Sequence, residues 1–309
     1  MATSMPMTLE AWMRQAGLAR IDALVLLREL AGISHATLLA HPEALLDAAA
    51  LKLLDAAATR LRAGEPLAYV LGWREFYGLR FTVSPAVLVP RPETELLVDF
   101  ALARMPHDGH ATVLDLGTGS GAIAVAVAHA RPQAEVWAVD SSADALKVAA
   151  GNAQSLLPQR RPGGPLRLLA GDWFAALPMP APRFDLILGN PPYVAAGDAH
   201  LAALAHEPQL ALVGRASADG LADIRRIVAT APAHLAAGGW LALEHGHDQA
   251  AAVQALLLAA GLMAVQTQPD LAGIARLTAG HAPAWPKTYN SPHAAKSAFT
   301  DFQRPPCPT

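Results

Sequence analysis

The feature that most limits what this chain can fold into is an alternation running from about residue 110 to 280. Nearly continuous apolar runs at 112–116, 136–139, 166–169, 184–188 and 240–243 are separated, for the most part, by helix-like stretches. Runs without a polar face belong to strands buried on both sides, and strands alternating with helices build a parallel sheet covered on both faces. The segments 265–267 and 274–278 read as a final pair closing that sheet. The expectation is an α/β fold.

The regions before and after the alternation differ from it. Residues 1 to about 65 read as short helices: Leu9, Trp12, Met13 and Ala16 fall on one helical face. The stretches 21–30 and 51–61 repeat the pattern, with breaks at Gly32 and Pro42, so a small helical bundle is expected. The residues from Gly72 to Pro85 read as two strands, 74–77 and 80–83, around Gly78-Leu79, a hairpin linking two domains. Pro92 fits the first turn of a helix, with Glu93 and Glu95 where the helix dipole favours acids. Residues 281–309 are rich in Pro, Ser and His, lack periodicity and read as a disordered tail. The resulting division is 1–71 helical, 72–89 hairpin linker, 90–280 α/β domain and 281–309 tail.

Composition narrows the function classes. Hydrophobic residues make up 53% of the 309 and charged residues 16%, ample for a core. Mean hydropathy is high, at +0.27, yet much of it is alanine. No uncharged apolar run approaches the ~18–20 residues of a membrane span. The lone Cys307 excludes an intramolecular disulfide and a multi-cysteine metal site, and the N-terminus lacks a secretory pattern. A soluble cytoplasmic protein is expected, with no membrane association. A net charge of -3 does not favour a nucleic-acid partner, since duplex binding relies on neutralising phosphates with Lys and Arg.

Three loops at strand ends read as a cofactor site. The run 112–116 leads into Gly117-Thr118-Gly119-Ser120-Gly121, where glycines permit a tight turn and close backbone approach to a ligand. Asp140 lies nineteen positions past Gly121 at the end of the next strand, the place for a carboxylate accepting from two ribose hydroxyls; it can also act as a helix N-cap. Asp172 and Trp173 follow the third strand, an acid for an adenine amino group and a ring to stack on it. These features fit any adenosine-bearing cofactor and do not separate NAD from S-adenosylmethionine.

The fourth strand, 184–188, ends in Gly189-Asn190-Pro191-Pro192-Tyr193, and this motif decides the chemistry. Two prolines stiffen the backbone and leave carbonyls free to face a cleft. The Asn190 side-chain oxygen and the Pro191 carbonyl can each accept one hydrogen of a planar –NH2 group, with Tyr193 packing over its face. The lone pair of such a nitrogen is delocalised; fixing both hydrogens aligns it with a methyl donor, so positioning and electrostatics drive the transfer.

With these motifs the chain resembles the bacterial peptide-chain release factor glutamine methyltransferases (the PrmC/HemK family). The resemblance spans about 5 to 280 and rests on Glu65-Pro66-Leu67-Ala68-Tyr69-Val70-Leu71-Gly72, Phe76-Tyr77-Gly78, the segment from Val87 through Pro90-Arg91-Pro92-Glu93-Thr94-Glu95, the glycine loop and Asn190-Pro191-Pro192-Tyr193. It implies a class I S-adenosylmethionine-dependent methyltransferase domain, Rossmann-like, behind a helical N-terminal domain and a hairpin linker. The implied substrate is the glutamine of the Gly-Gly-Gln motif in class 1 release factors. The glycine loop, Asp140, Trp173 and Asn190 are then expected to contact the cofactor, and Asn190, Pro191, Pro192 and Tyr193 the glutamine.

Rival readings are a ribosomal-protein glutamine methyltransferase, a nucleic-acid amino-methyltransferase acting on a flipped base, an NAD oxidoreductase and a non-catalytic scaffold. The stretch Glu244-His245-Gly246-His247-Asp248 looks like a metal cluster. On a loop, however, histidines two apart lack a fixed common face, and the stretch reads as hydrogen-bonding residues near the site, without metal. Arg91 and Glu93 read equally well as cleft wall or as a pairing and capping set.

Overall fold

The computed structural model describes residues 7–107 and 110–284. Five helices come first: α1 (Leu9–Gln15), α2 (Arg20–Ala31), α3 (His35–Ala40), α4 (Ala48–Arg62) and α5 (Leu67–Leu71). Thr8, Ser34 and Asp47 start α1, α3 and α4 by accepting a backbone N–H with their side chains, satisfying donors that a helix leaves open. Leu9, Trp12, Leu26, Leu27 and Leu54 form the bundle core, each large side chain contributing about 1.5–3 kcal/mol by burial. The Trp12 Nε1 donates to Asp55 at 2.9 Å, so its polar edge is satisfied as its ring is buried. The short helices α3 and α5 were not separately legible in the periodicity.

The hairpin β1 (Trp73–Phe76) and β2 (Leu79–Thr82) turns at Tyr77 and Gly78, φ 52° and 72°, one residue earlier than expected. The turn needs left-handed backbone at both positions, which Gly78 supplies without strain and Tyr77 adopts at some cost. The Tyr77 amide donates to Glu95 at 2.8 Å and its hydroxyl to Asp99 at 2.7 Å, offsetting that cost. Glu95 and Asp99 lie on α6 (Glu95–Arg104), which follows a short 3-10 turn, Pro92–Thr94. The hairpin is therefore fastened to the larger sheet domain, and Phe76 and Phe81 pack edge to face at 5.9 Å between them.

The rest of the chain runs β3 (Thr112–Leu116), α7 (Ala122–Ala130), β4 (Glu135–Asp140), α8 (Ala143–Leu156), β5 (Arg167–Ala170), β6 (Phe184–Gly189), α9 (Gln209–Leu212), α10 (Ala222–Thr230), β7 (Leu235–Glu244), α11 (Ala250–Ala259), β8 (Met263–Pro269) and β9 (Ala275–His281). Strand order is β5-β4-β3-β6-β7-β9-β8: the first five are parallel, while β9 pairs antiparallel with both β7 and β8. The expected final pair is present, with β9 inserted between its partners. Residues 281–284 differ from the expected tail: His281 closes β9 against β7, and the Ala282 amide donates to Gly239. Residues 285–309, including Cys307, lie outside the described residues.

Order reverses between β3 and β6. From β3 the chain builds outward to β5, then returns to place β6 on the other side, and ligands of such sheets bind at the carboxyl ends beside that switch. Leu116 and Gly189 are register partners there, so Gly117 and Asn190 leave the sheet side by side. Among the described residues, no helix is long and apolar enough to cross a membrane.

Candidate active site

The glycine loop is held by its neighbours' backbones. Gly117, Gly119 and Gly121 have φ of 73°, 55° and 83°, a region that disfavours any Cβ. The Gly117 and Thr118 amides both donate to the Val139 carbonyl at 2.9 Å. Asp140 then takes one amide on each oxygen, Gly119 on Oδ2 and Ser142 on Oδ1, both at 2.8 Å. Burial raises its pKa, opposed by those amides. The N-cap of α8 is Ser142, whose hydroxyl accepts from Ala145; Asp140 instead clasps the loop to the end of β4. Gly121 caps α7 and packs near Ala149, behind the loop.

Beneath the loop, Asp115 is fully buried, and its Oδ2 accepts from the Thr118 hydroxyl at 2.6 Å. Burial pushes its carboxyl up to about 7. Nothing local in the sequence distinguishes a buried carboxylate at this position from an exposed one.

Past β5, Asp172 is exposed, and its carboxylate accepts from Arg226 at 2.7 and 3.0 Å and from Arg215 at 3.2 Å. These guanidiniums hold it below the usual carboxylate range. Trp173 has φ 51° and donates its Nε1 to Asp223 at 3.2 Å. Its ring stands against the glycine loop: a Cβ on Gly117 would lie 3.2 Å from it.

Beyond β6 the construction changes from backbone to side chain. Asn190 Nδ2 donates to Thr94 Oγ1 at 3.1 Å, and that hydroxyl donates to Glu244 Oε2 at 2.7 Å. The Tyr193 hydroxyl donates to the other oxygen, Glu244 Oε1, at 3.2 Å. Glu244 is 2% exposed, and burial pushes its carboxyl up to about 7. The same burial, with Glu244 facing the phenol, raises the Tyr193 hydroxyl. Pro191 is buried, and Gln249 donates to the Tyr193 carbonyl at 3.0 Å, pinning the far side of the turn. Tyr193 therefore packs its ring on the core beside β6 and ties its hydroxyl inward, where a lid over a substrate amide was expected.

One cavity of ≈ 420 Å³ joins these halves. Gly117, Thr118, Gly119, Ser120, Asp140, Asp172, Trp173, Asn190 and Pro192 line it; Gly121, Pro191 and Tyr193 adjoin these residues in the chain without lining it. Arg91 lines it as well and pairs with the buried Glu207, which also accepts the Val89 amide at 3.0 Å; it is at once wall and ion pair. The sequence offers Glu244 only within a stretch of hydrogen-bonding residues near the site; the structure puts it at the end of β7, bonded to Thr94 and Tyr193, with His245 buried and bonded to Thr278 at 2.8 Å. Thr94 carries no site signal of its own in the sequence. Among the described residues, no three His, Cys, Asp or Glu side chains are grouped to hold a metal.

The chain is similar to known methyltransferases. A family model described as methyltransferase small domain matches residues 93–207, and one described as PrmC N-terminal domain matches 9–72. A release factor glutamine methyltransferase of Burkholderia pseudomallei is 50% identical over 280 residues, 90% of this chain and 97% of that protein. One from Bordetella pertussis is 49% identical over 267 residues, covering 86% and 96%. A Thermus thermophilus 16S rRNA N2 G1207 methyltransferase, solved with AdoMet and guanosine, superposes with a TM-score of 0.50 at 21% identity over 68% of this chain and 49% of that one, a likeness of fold alone.

Proposed function

The chain belongs to the release factor glutamine methyltransferase family, and on that premise we propose how its cleft divides the work of methylating a protein glutamine. The reaction moves a methyl group from S-adenosylmethionine to the side-chain amide nitrogen of the glutamine in the Gly-Gly-Gln motif of class 1 release factors, in the cytoplasm. The residues fit the cofactor: a loop of left-handed glycines beside a strand-end carboxylate makes a cradle that Cβ atoms would disturb. When bound, S-adenosylmethionine supplies an electrophilic methyl on a sulfonium. Gly117, Thr118, Gly119, Ser120 and Gly121 form the cradle, Asp140 accepts the ribose hydroxyls, and Asp172 and Trp173 frame the adenine.

The observation that carries the substrate reading is the direction of the Asn190 amide. Donating through Nδ2 to Thr94 turns its Oδ1 to the opposite side, as an acceptor for a substrate –NH2. The Pro191 ring is buried and does not line the cavity, so only its main-chain carbonyl is assigned to the second hydrogen, and Pro192 lines the entry. With both hydrogens fixed, the nitrogen lone pair is held toward the methyl, the arrangement that a poor amide nucleophile needs. Tyr193 acts from behind, holding the turn.

Incubating the enzyme with S-adenosylmethionine and a purified class 1 release factor, then mapping peptides by mass spectrometry, tests the reading. One added methyl on the Gly-Gly-Gln glutamine, lost when that glutamine is changed to asparagine, is expected. Labelling of a nucleic acid or a ribosomal protein in its place overturns it.

A further inference from the structure

Behind the cleft, Glu244 joins two ends of the Asn190-Pro191-Pro192-Tyr193 turn that are far apart in sequence from it. Its carboxylate has no hydrogen to give, so Thr94 and Tyr193 must both donate to it. Thr94 has one hydroxyl hydrogen. Once that hydrogen points at Glu244, the Thr94 oxygen can only accept from Asn190, and the Asn190 amide is forced to present its NH2 to Thr94 and its oxygen to the other side. Amide nitrogen and oxygen are nearly the same shape, so packing alone does not choose between the two orientations. The polarity of the chain does.

We propose that Glu244 is a positioning and specificity-determining residue: acting through Thr94, it fixes which end of the Asn190 amide faces the substrate, and so selects an –NH2 group over an acceptor such as a carboxylate. This rests on the assignment of Asn190 to the substrate amide. Were the chain reversed, with a neutral group at 244 donating to Thr94, Asn190 would rotate its NH2 into the cleft, complementary to a glutamate side chain and able to take a glutamine only by its oxygen, leaving the –NH2 without its acceptor.

The surroundings set when this control operates. Glu244 faces Glu93 and Thr94 from the 3-10 turn before α6, Tyr193 from the turn after β6, and Arg276 from β9; Glu93 raises its pKa and Arg276 lowers it, with burial the largest influence. Its neighbour His245 is buried with its pKa lowered, hence neutral. Because burial brings the Glu244 carboxyl to about 7, the ionised, acceptor-only form is present above that pH and is lost as pH falls through it. Turnover should therefore decline on the acid side with this group.

The test uses the full-length enzyme with wild-type release factor, with a competitor release factor carrying Glu for the target Gln, and with three variants. Glu244→Gln keeps size but supplies a donor; Thr94→Val removes the relay; Thr94→Ser keeps it. Expected are a fall in kcat of about 10-fold or more for Glu244→Gln and Thr94→Val, with S-adenosylmethionine affinity within about 3-fold of wild type and near-normal turnover for Thr94→Ser. The acid limb near pH 7 should vanish in Glu244→Gln, and the Glu-bearing competitor should gain on the Gln substrate. A wild-type enzyme that does not methylate glutamine at all refutes the underlying reading. A wild-type enzyme that does, alongside a Glu244→Gln variant retaining the limb and the wild-type preference for Gln, refutes the role of Glu244. Should Glu244→Gln fold poorly, Thr94→Val against Thr94→Ser decides: equal turnover in the two also refutes it.

Discussion

The two sides of the cleft are built from different materials. On the β3–β4 side the ligand wall is main chain: left-handed glycines, amides bonded to Val139, and an Asp140 whose oxygens hold two more amides. On the β6–β7 side it is a relay of side chains, Asn190 to Thr94 to Glu244 to Tyr193, drawn from three separate segments. A main-chain cradle suits a ligand that every member of a large fold class binds, because it needs few particular side chains. A directed relay suits discrimination, because its polarity can accept one functional group and reject its isostere. The difference predicts that damage to one side should weaken binding of the cofactor and damage to the other should slow transfer.

The sharpest way to break that division is Asn190→Ala. Losing a preorganised acceptor in a dry site removes ~3–4 kcal/mol of transition-state stabilisation, roughly 100-fold or more in kcat. S-adenosylmethionine affinity, measured by calorimetry, should stay near wild type. A variant that turns over normally, or that loses cofactor and turnover in equal measure, removes the distinction between the two sides.

On the opposite side, Asp140→Ala should weaken S-adenosylmethionine by about 1–3 kcal/mol, since two ribose hydroxyls lose a charged acceptor and the Gly119 and Ser142 amides lose theirs. With saturating cofactor, turnover should recover most of its wild-type value. Unchanged affinity, or a kcat that stays low at saturation, contradicts a purely binding role.

The same contrast explains what could be read without the structure. The glycine loop and Asp140 lie within one strand–helix–strand unit, so spacing exposes them. The strand at 112–116 is legible to the residue because it is a short, nearly continuous apolar run ended by Gly117, and the structure buries it from Val113 to Leu116. The sequence shows β7 only at 240–243, although it begins at Leu235, because Ala236, Ala237, Gly238 and Gly239 carry no strand signal: they form an irregularity between the Leu235 and Trp240 pairings with β6, with Gly238 at φ 76°. Thr94 and Glu244 are 150 residues apart. Neither type is unusual at its position, and only the sheet's closure brings them together. The turn after β6 announced its chemistry through two prolines, yet the inward direction of Tyr193 depended on that invisible carboxylate.

The smallest effect is expected at Asp172, where the two sides meet on the adenine end. Its carboxylate is 46% exposed and shared between Arg226 and Arg215, themselves 39% and 61% exposed. Exposed ion pairs contribute about 0–1 kcal/mol, so Asp172→Ala should leave the melting temperature within roughly 3 °C of wild type. An adenine amino group donating to this carboxylate competes with water and two guanidiniums, so its net worth is about 0.5–1.5 kcal/mol, some 2- to 12-fold in affinity. That is less than the loss expected at Asp140, whose partners are drier. A cofactor analogue lacking the adenine amino group separates this bond from general loosening: wild type should bind the analogue more weakly by the same factor that Asp172→Ala costs, and the variant should bind both forms alike. If the variant still distinguishes the two as strongly as wild type does, Asp172 is a partner of Arg226 and Arg215 alone, and the adenine end rests on Trp173 and its backbone neighbours.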